Sequence, residues 1–176
     1  MPLSSNSART TLVLGGARSG KSRYAEELLA AHDGARTYIA TAEARDAEMA
    51  ARIAEHQARR GPGWRTVEQP LDLVGALEAH CGFKGAVLVD CLTLWLSNLV
   101  AASRDIAAET AGLTAALGRL PGRAVLVSNE VGLGIVPQST LGREFRDHAG
   151  RLNQAVAEVT DEAVFITAGL PFRLKP

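Results

Sequence analysis

The sequence predicts an α/β protein of three layers, in which helices cover both faces of a mainly parallel sheet. Strand patterns and helix patterns alternate from one end of the 176-residue chain to the other, as the connections of a parallel sheet require. Two strand patterns, Ala86–Asp90 and Ala124–Ser128, are apolar almost throughout, which is typical of strands buried on both faces. The sequence has no internal repeat and no low-complexity segment.

The first elements are a strand, a helix and a second strand. An apolar run that begins at Thr11 and ends at Gly15 predicts the first strand, and residues 23–31 have a helix pattern. The turn signal Asp33-Gly34 follows, and the β-branched and aromatic residues of Arg36–Thr41 predict the second strand.

The middle of the chain continues this alternation. A helix pattern from Asp46 to about Arg60 ends at the helix breakers Gly61-Pro62-Gly63. Trp64–Glu68 predicts the third strand, and Leu71–Cys81 predicts the helix after it. The first of the two apolar strands, Ala86–Asp90, comes next.

The last part of the chain begins with two helix patterns, near Leu94–Val100 and at Ile106–Leu120, which separate the two apolar strands. A long helix pattern at Leu141–Val159 and a strand pattern at Ala163–Thr167 follow the second of these strands. The terminal Phe172–Lys175 begins too soon after the preceding strand for a crossover connection, so we predict an antiparallel edge strand there.

Composition limits the number of domains and the kinds of partner. An apolar content of 47% supports one core, so we expect a single domain over residues 10–176 after a frayed tail at residues 1–9. A formal net charge of zero argues against nucleic-acid binding, and no run is long enough for membrane insertion. The two cysteines, Cys81 and Cys91, predict buried free thiols and a cytoplasmic location.

The segment Gly15–Ser22 has the pattern G-x-x-x-x-G-K-S between a strand and a helix. Glycines let successive backbone N–H groups point at phosphates, and the start of the helix faces the same anion. We predict that Lys21 reaches the β- and γ-phosphates and that the Ser22 hydroxyl ligates Mg²⁺. The fold is therefore predicted to resemble that of P-loop NTPases, with nucleoside triphosphate held by Gly15, Gly16, Ala17, Arg18, Ser19, Gly20, Lys21 and Ser22.

Ligands of such sheets bind at the carboxyl ends of the strands. This rule selects one rim, formed by Gly15, Thr41, Glu68, Asp90 and Asn129. Asp90 ends a buried strand, from which its carboxylate can hold Mg²⁺ directly or through water, although capping of the next turn is an alternative. The cluster Ser128–Gly132 fits a turn and a substrate contact equally well, and it lacks the Asn-Lys-x-Asp signature of regulatory GTPases.

The helix pattern at Asp46–Arg60 contains a histidine among arginines. Arg52, His56 and Arg60 lie at i, i+4 and i+8 and share one face, with Arg59 adjacent. The neighbouring cations favour a neutral imidazole, which is the nucleophilic form, and they could also hold phosphate. From the residues alone, a solvated charged face with an incidental histidine is the more usual explanation.

Six blocks, taken in this order, closely resemble the bifunctional adenosylcobinamide kinase/adenosylcobinamide-phosphate guanylyltransferase family of cobalamin biosynthesis. The blocks are Gly15–Ser22, Tyr38–Thr41, Asp46–His56, Trp64–Thr66, Val89–Asn98 and Ser128–Pro137. The likeness extends from about Thr11 to Lys175, and it implies a P-loop core of the recombinase type. Asp90 stands where some relatives have Glu, and this shorter side chain favours a water-bridged metal contact.

The resemblance implies two reactions and their site residues. A nucleoside triphosphate, ATP or GTP, phosphorylates the aminopropanol hydroxyl of adenosylcobinamide, and GTP then donates GMP to that phosphate and releases pyrophosphate. Lys21 and His56 are implied as catalytic, with GMP carried on His56, and Ser22 and Asp90 as ligands of Mg²⁺. Beyond the loop, the implied nucleotide contacts are Ala40, Thr41, Ala42, Gln57, Ala58, Arg59, Arg60, Glu68 and Asp90. The resemblance also implies a homotrimer.

Two other functions fit parts of the sequence. A simple phosphate-loop kinase for another small hydroxyl substrate would need Lys21 and Asp90 but not His56. A nucleotide-driven binding or assembly module with a recombinase-like core would hydrolyse ATP slowly and respond to a macromolecule, which the neutral charge argues against. Turnover of cobinamide would exclude the assembly module, and a covalent GMP on His56 would distinguish the bifunctional enzyme from the simple kinase.

Overall fold

A computed structural model describes residues 8–42 and 63–176 of the chain. The strands are β1 (Thr10–Gly15), β2 (Arg36–Ala40), β3 (Trp64–Glu68), β4 (Ala86–Asp90), β5 (Arg123–Asn129), β6 (Glu162–Thr167) and β7 (Leu170–Lys175). The helices within these residues are α1 (Lys21–Ala30), α2 (Leu73–His80), α3 (Leu92–Ala101), α4 (Ile106–Leu117) and α5 (Thr140–Val159). The predicted helix Asp46–Arg60 lies outside the described residues.

The strands form one sheet in the order β3-β2-β4-β5-β1-β6-β7. All neighbouring pairs are parallel except β6 and β7, which are antiparallel. The predicted α/β fold with an antiparallel edge strand is thus confirmed. Because β1 and β4 are separated only by β5, their carboxyl ends lie close together at one edge of the sheet.

Both faces of the sheet carry a core, which explains the apolar strands. On one face β1 contributes Leu12 to a cluster that includes Trp95 of α3 and Leu152 of α5. On the other face Val13 packs in a cluster with Leu29 of α1. Successive residues of a strand are therefore both fully buried, as expected for a parallel sheet between helix layers.

Helix α3 begins earlier than the sequence pattern predicts. The predicted start was near Leu94, whereas the helix begins at Leu92, one residue after Cys91. Leu92, Trp95 and Leu96 are all buried, and a helix that is apolar over most of its surface gives little periodic signal at its start. The short connection places the first turn of α3 at the carboxyl edge of β4.

The first residues of the described chain already contact the fold. Of the predicted tail, residues 1–7 lie outside the described residues, whereas Ala8 is buried. The backbone N–H groups of Arg9 and Thr10 donate to Asp161 Oδ2 at 2.9 and 2.8 Å. These bonds attach the start of β1 to the turn before β6.

Both cysteines are buried free thiols in the structure, as predicted. Burial raises the pKa of Cys81 and of Cys91 to about 11. Both thiols are therefore protonated near neutral pH. Among the described helices, none combines the length and the apolar composition needed to cross a lipid bilayer.

Candidate active site

The predicted phosphate loop connects β1 to α1. Gly20 precedes the helix with a φ of 97°, in the left-handed region that favours glycine. A Cβ on Gly15 would lie 2.6 Å from the carbonyl oxygen of Ile166 and 2.6 Å from Ser19 Oγ. Gly15 is therefore required for space and Gly20 for backbone conformation.

Hydrogen bonds hold the loop against the end of β6. The Ser19 N–H donates to the Gly16 carbonyl at 3.3 Å, and the Gly169 N–H donates to the Ser19 carbonyl at 2.9 Å. The Ser19 hydroxyl is buried and has no hydrogen-bond partner in the described part of the chain. Because buried polar groups are normally paired, this hydroxyl fits a loop whose polar groups are completed by a bound anion.

Lys21 is the first residue of α1, and its ammonium folds back over the loop. Its Nζ donates to the Gly16 carbonyl at 3.1 Å. Burial lowers the pKa of Lys21 below its ordinary value, whereas Cys91 and Asp90 act in the opposite direction. The ammonium is thus attracted by Cys91 and Asp90 at the carboxyl end of β4.

Asp90 ends β4 and is partly exposed at the same rim. The Tyr38 hydroxyl donates to Asp90 Oδ2 at 2.6 Å, which orients the carboxylate from the neighbouring strand β2. Asp90 therefore has a fixed orientation and is partly exposed at the carboxyl end of the sheet. Its carboxylate and the Ser22 hydroxyl in the first turn of α1 supply the hard oxygen donors that Mg²⁺ prefers.

Thr41, a predicted nucleotide contact, is fully buried behind this rim. Its hydroxyl donates to the Cys91 carbonyl and accepts from the Cys91 N–H, both at 2.8 Å. The Asn98 amide donates to the carbonyl oxygens of Thr41 at 2.8 Å and of Pro70 at 3.1 Å. The Thr41 side chain thus joins β2 to the β4–α3 connection.

The other predicted contacts divide between the rim and the undescribed segment. Ala40 is buried and Ala42 is partly exposed, whereas Glu68 is exposed and pairs with Ala40 at the edge strand β3. At about 4.8 Å per strand, Glu68 lies roughly 19 Å along the sheet from the phosphate loop. His56, Gln57, Ala58, Arg59 and Arg60 lie outside the described residues.

The end of β5 is held by a network that the sequence did not reveal. The Ser128 hydroxyl donates to Asn153 Oδ1 at 2.7 Å, and Thr93 Oγ1 accepts the Asn129 N–H at 2.8 Å. The Asn153 amide donates to the Asn129 carbonyl at 3.2 Å. These bonds give Ser128 and Asn129 a structural role, and the only sequence signal for Asn153 is an amide on the buried face of a long helix.

Comparison with known proteins identifies close relatives. Residues 11–174 match the family model CobU, described as cobinamide kinase / cobinamide phosphate guanyltransferase. The chain is 52% identical over 166 residues to the bifunctional adenosylcobalamin biosynthesis protein CobP of Pseudomonas aeruginosa, covering 93% of this chain and 96% of that protein. It is 42% identical over 180 residues to the protein of the same description, CobU, of Escherichia coli, covering 93% and 98%.

Two solved structures are more distantly similar. The P4 protein of bacteriophage phi6 in complex with ADP has a TM-score of 0.44 at 16% identity, and the match covers 93% of this chain and 52% of that one. The VirB11 ATPase of the Brucella suis type IV secretion system has a TM-score of 0.49 at 14% identity, covering 96% and 49%. The chain spans about half the length of each of these two proteins.

Proposed function

We propose that a single nucleotide site serves two reactions in this chain, which belongs to the cobinamide kinase / cobinamide phosphate guanyltransferase family. The protein is an enzyme of adenosylcobalamin biosynthesis that phosphorylates cobinamide and transfers a guanylyl group to cobinamide phosphate. The comparisons give no support to a kinase with one activity or to an assembly module. We assign the chemical steps of both reactions to Lys21, Asp90 and His56.

The observation that carries the proposal is the approach of the phosphate loop to the end of β4. Lys21 Nζ donates within the loop at 3.1 Å, and only β5 separates β1, which leads into the loop, from β4, which ends at Asp90. A triphosphate in the loop would therefore lie between a cation and a carboxylate able to hold Mg²⁺. Ser22 and Asp90 fit this metal as oxygen ligands, and Mg²⁺ when bound withdraws charge from the phosphate oxygens.

In the kinase reaction, the substrate's own hydroxyl is the nucleophile. Its oxygen forms a bond to the γ-phosphorus while the bond from that phosphorus to the bridging oxygen of the nucleoside diphosphate breaks, and the hydroxyl proton is released. The loop amides and Lys21 hold the equatorial and leaving oxygens in line with the attack. This step needs no protein nucleophile.

In the transfer reaction, we assign the nucleophile to His56. A neutral ring nitrogen bonds to the α-phosphorus of GTP while the bond to pyrophosphate breaks, which leaves GMP on the histidine. An oxygen of adenosylcobinamide phosphate then bonds to the same phosphorus, the P–N bond breaks, and adenosylcobinamide-GDP leaves. Arg52, Arg59 and Arg60 supply cations for the developing charge.

Separate assays of the two reactions test this function. Adenosylcobinamide is incubated with ATP or GTP and Mg²⁺, and the phosphorylated and guanylylated products are separated by chromatography. We expect adenosylcobinamide phosphate to appear first and adenosylcobinamide-GDP to accumulate only when GTP is present. Formation of the phosphate alone under all conditions would restrict the chain to the kinase reaction.

The variant Asp90→Asn is expected to require more Mg²⁺ while binding nucleotide nearly as well as the wild type. The amide keeps the size of the side chain and an oxygen for Tyr38, 2.6 Å away in the wild type, but it removes the charge that attracts the metal. The Mg²⁺ concentration that gives half-maximal activity should rise by about tenfold. The affinity for a fluorescent GTP analogue should stay the same. An unchanged magnesium curve would give Asp90 a structural role.

We propose a homotrimer, as the resemblance implies, and we expect β7 to contribute to its contacts. Leu170, Phe172 and Leu174 form an exposed apolar row on this edge strand, with exposed fractions of 69%, 65% and 54%, and such rows favour association.

Light scattering should give three times the chain mass for the wild type and a smaller mass for Phe172→Glu. The control Phe83→Glu, at an 85% exposed position, should stay trimeric, and a wild-type monomer would contradict the proposal.

A cytoplasmic location is also proposed. Cys81 and Cys91 are both free thiols, which a reducing compartment maintains. Both nucleotide substrates are supplied there.

A further inference from the structure

An exposed apolar surface follows β5 and leads into α5. Of the ten large apolar side chains exposed in residues 8–42 and 63–176, five lie between residues 131 and 141. They are Val131, Leu133, Ile135, Val136 and Leu141, with exposed fractions of 36%, 80%, 98%, 57% and 63%. Residues 131–137 include no charged side chain. Clustered exposed apolar groups mark a binding surface, which we name the 131–141 surface.

The 131–141 surface begins beside the phosphate loop. The Glu130 N–H donates to the Gly15 carbonyl at 3.1 Å, and β5 pairs with β1 so that Asn129 lies opposite Gly15. Ile135 follows Glu130 by five residues, which span at most about 18 Å of chain. The backbone of Val131, Leu133 and Ile135 therefore lies within about 18 Å of Glu130, the residue that bonds to the phosphate loop.

Hydrogen bonds fix both ends of the surface. At its start, Glu130 Oε1 accepts the Gly132 N–H at 2.5 Å. At its end, Arg143 of α5 donates to the carbonyl oxygens of Pro137 at 3.1 Å and of Gln138 at 2.6 Å. The apolar side chains are thus displayed by an anchored segment.

We propose that the 131–141 surface binds the corrin ring of cobinamide and so brings its side-arm hydroxyl to the γ-phosphate. This inference rests on the proposed function. That function requires the protein to hold the large ring of cobinamide and, at the same time, to let its side arm reach the phosphate loop. Cobinamide has a large ring edged with methyl and amide groups, without carboxylates, and one short side arm that must reach the phosphate loop. An apolar, uncharged surface that starts beside Gly15 is suited to bind this uncharged ring edge. The phosphates of the nucleotide are bound separately, by Lys21.

The test compares the double variant Leu133→Ser/Ile135→Ser with the control Phe83→Ser in the full chain. Phe83 is 85% exposed and lies just before β4. It is therefore at the amino ends of the parallel strands, whereas the phosphate loop is at their carboxyl ends. Equilibrium dialysis against adenosylcobinamide measures binding of the ring without turnover, and titration with a fluorescent GTP analogue measures nucleotide binding. We expect cobinamide affinity to fall by about tenfold or more in the double variant alone, with unchanged GTP affinity in both variants.

Unchanged cobinamide affinity in the double variant would overturn the inference. A loss of GTP affinity would also overturn it, as would a smaller mass in light scattering, because the surface would then serve the nucleotide or a second copy of the chain. Ring binding that depends on this surface, without phosphorylation of the ligand by the wild type, would support the inference and refute the proposed function. Absence of cobinamide binding by the wild type would refute both.

Discussion

The variant Lys21→Ala is expected to lose both the kinase reaction and the guanylyltransferase reaction. Lys21 belongs to the phosphate loop, where its Nζ donates to the Gly16 carbonyl at 3.1 Å, and both reactions need the triphosphate held there. Each rate should fall by about a hundredfold or more, because removal of one preorganised charge donor has effects of that size. The two rates are measured separately, with adenosylcobinamide phosphate supplied for the transfer reaction.

A matched control for this variant is Lys84→Ala. Lys84 is exposed in the turn before β4. The control therefore removes the same charge at the amino ends of the strands, away from the phosphate loop at their carboxyl ends. Thermal unfolding of both variants shows whether a lost rate reflects lost structure. A near-normal rate of either reaction in Lys21→Ala would exclude Lys21 from that step.

The sequence predicts the elements and the phosphate loop because their signals are local. Trp64–Glu68 and Ala86–Asp90 begin and end where the structure has them. The first follows the helix breakers Gly61-Pro62-Gly63, and the second is an apolar run that ends at a charged residue. Gly15 and Gly20 belong to one motif within a few residues. The structure requires glycine at both positions, because a side chain would clash at Gly15 and Gly20 has a positive φ. These features need no knowledge of the strand order.

The network behind the rim could not be predicted, because it depends on the order of the strands. Thr41 bonds to Cys91, 50 residues later, because β2 lies beside β4. Asn98 returns to Thr41 across 57 residues, and Ser128 bonds to Asn153 across 25. Hydrophobic periodicity assigns each residue to an element and a face, but it does not pair one element with another.

The sequence did not predict the 131–141 surface, for a different reason. The sequence placed Ser128–Pro137 among the blocks of the resemblance, but an apolar run after a strand is equally compatible with burial. In the structure, Arg143 bonds to the carbonyl oxygens just before α5, and Ile135 is 98% exposed. Whether an apolar side chain is exposed depends on how its segment lies against the rest of the fold, which a pattern of residue types does not contain.

With GTP and Mg²⁺ alone, the wild-type protein is expected to gain a covalent GMP on His56 and to release pyrophosphate. His56 lies between Arg52 and Arg60 on a predicted helix face, where neighbouring cations favour the neutral, nucleophilic imidazole. Mass spectrometry of the intact protein and of its peptides detects the adduct and its position. Because it contains a P–N bond, the adduct should be acid-labile and base-stable.

The variant His56→Ala separates this mechanism from direct transfer between the two substrates. It should lose the adduct and the transferase reaction, since no protein nucleophile is left to split the transfer into two displacements. It should keep much of the kinase reaction, whose nucleophile is the hydroxyl of the substrate. The control His148→Ala, which removes an imidazole from α5, should keep both reactions. Full transferase activity in His56→Ala, or wild-type turnover to adenosylcobinamide-GDP without a detectable adduct, would refute the covalent mechanism.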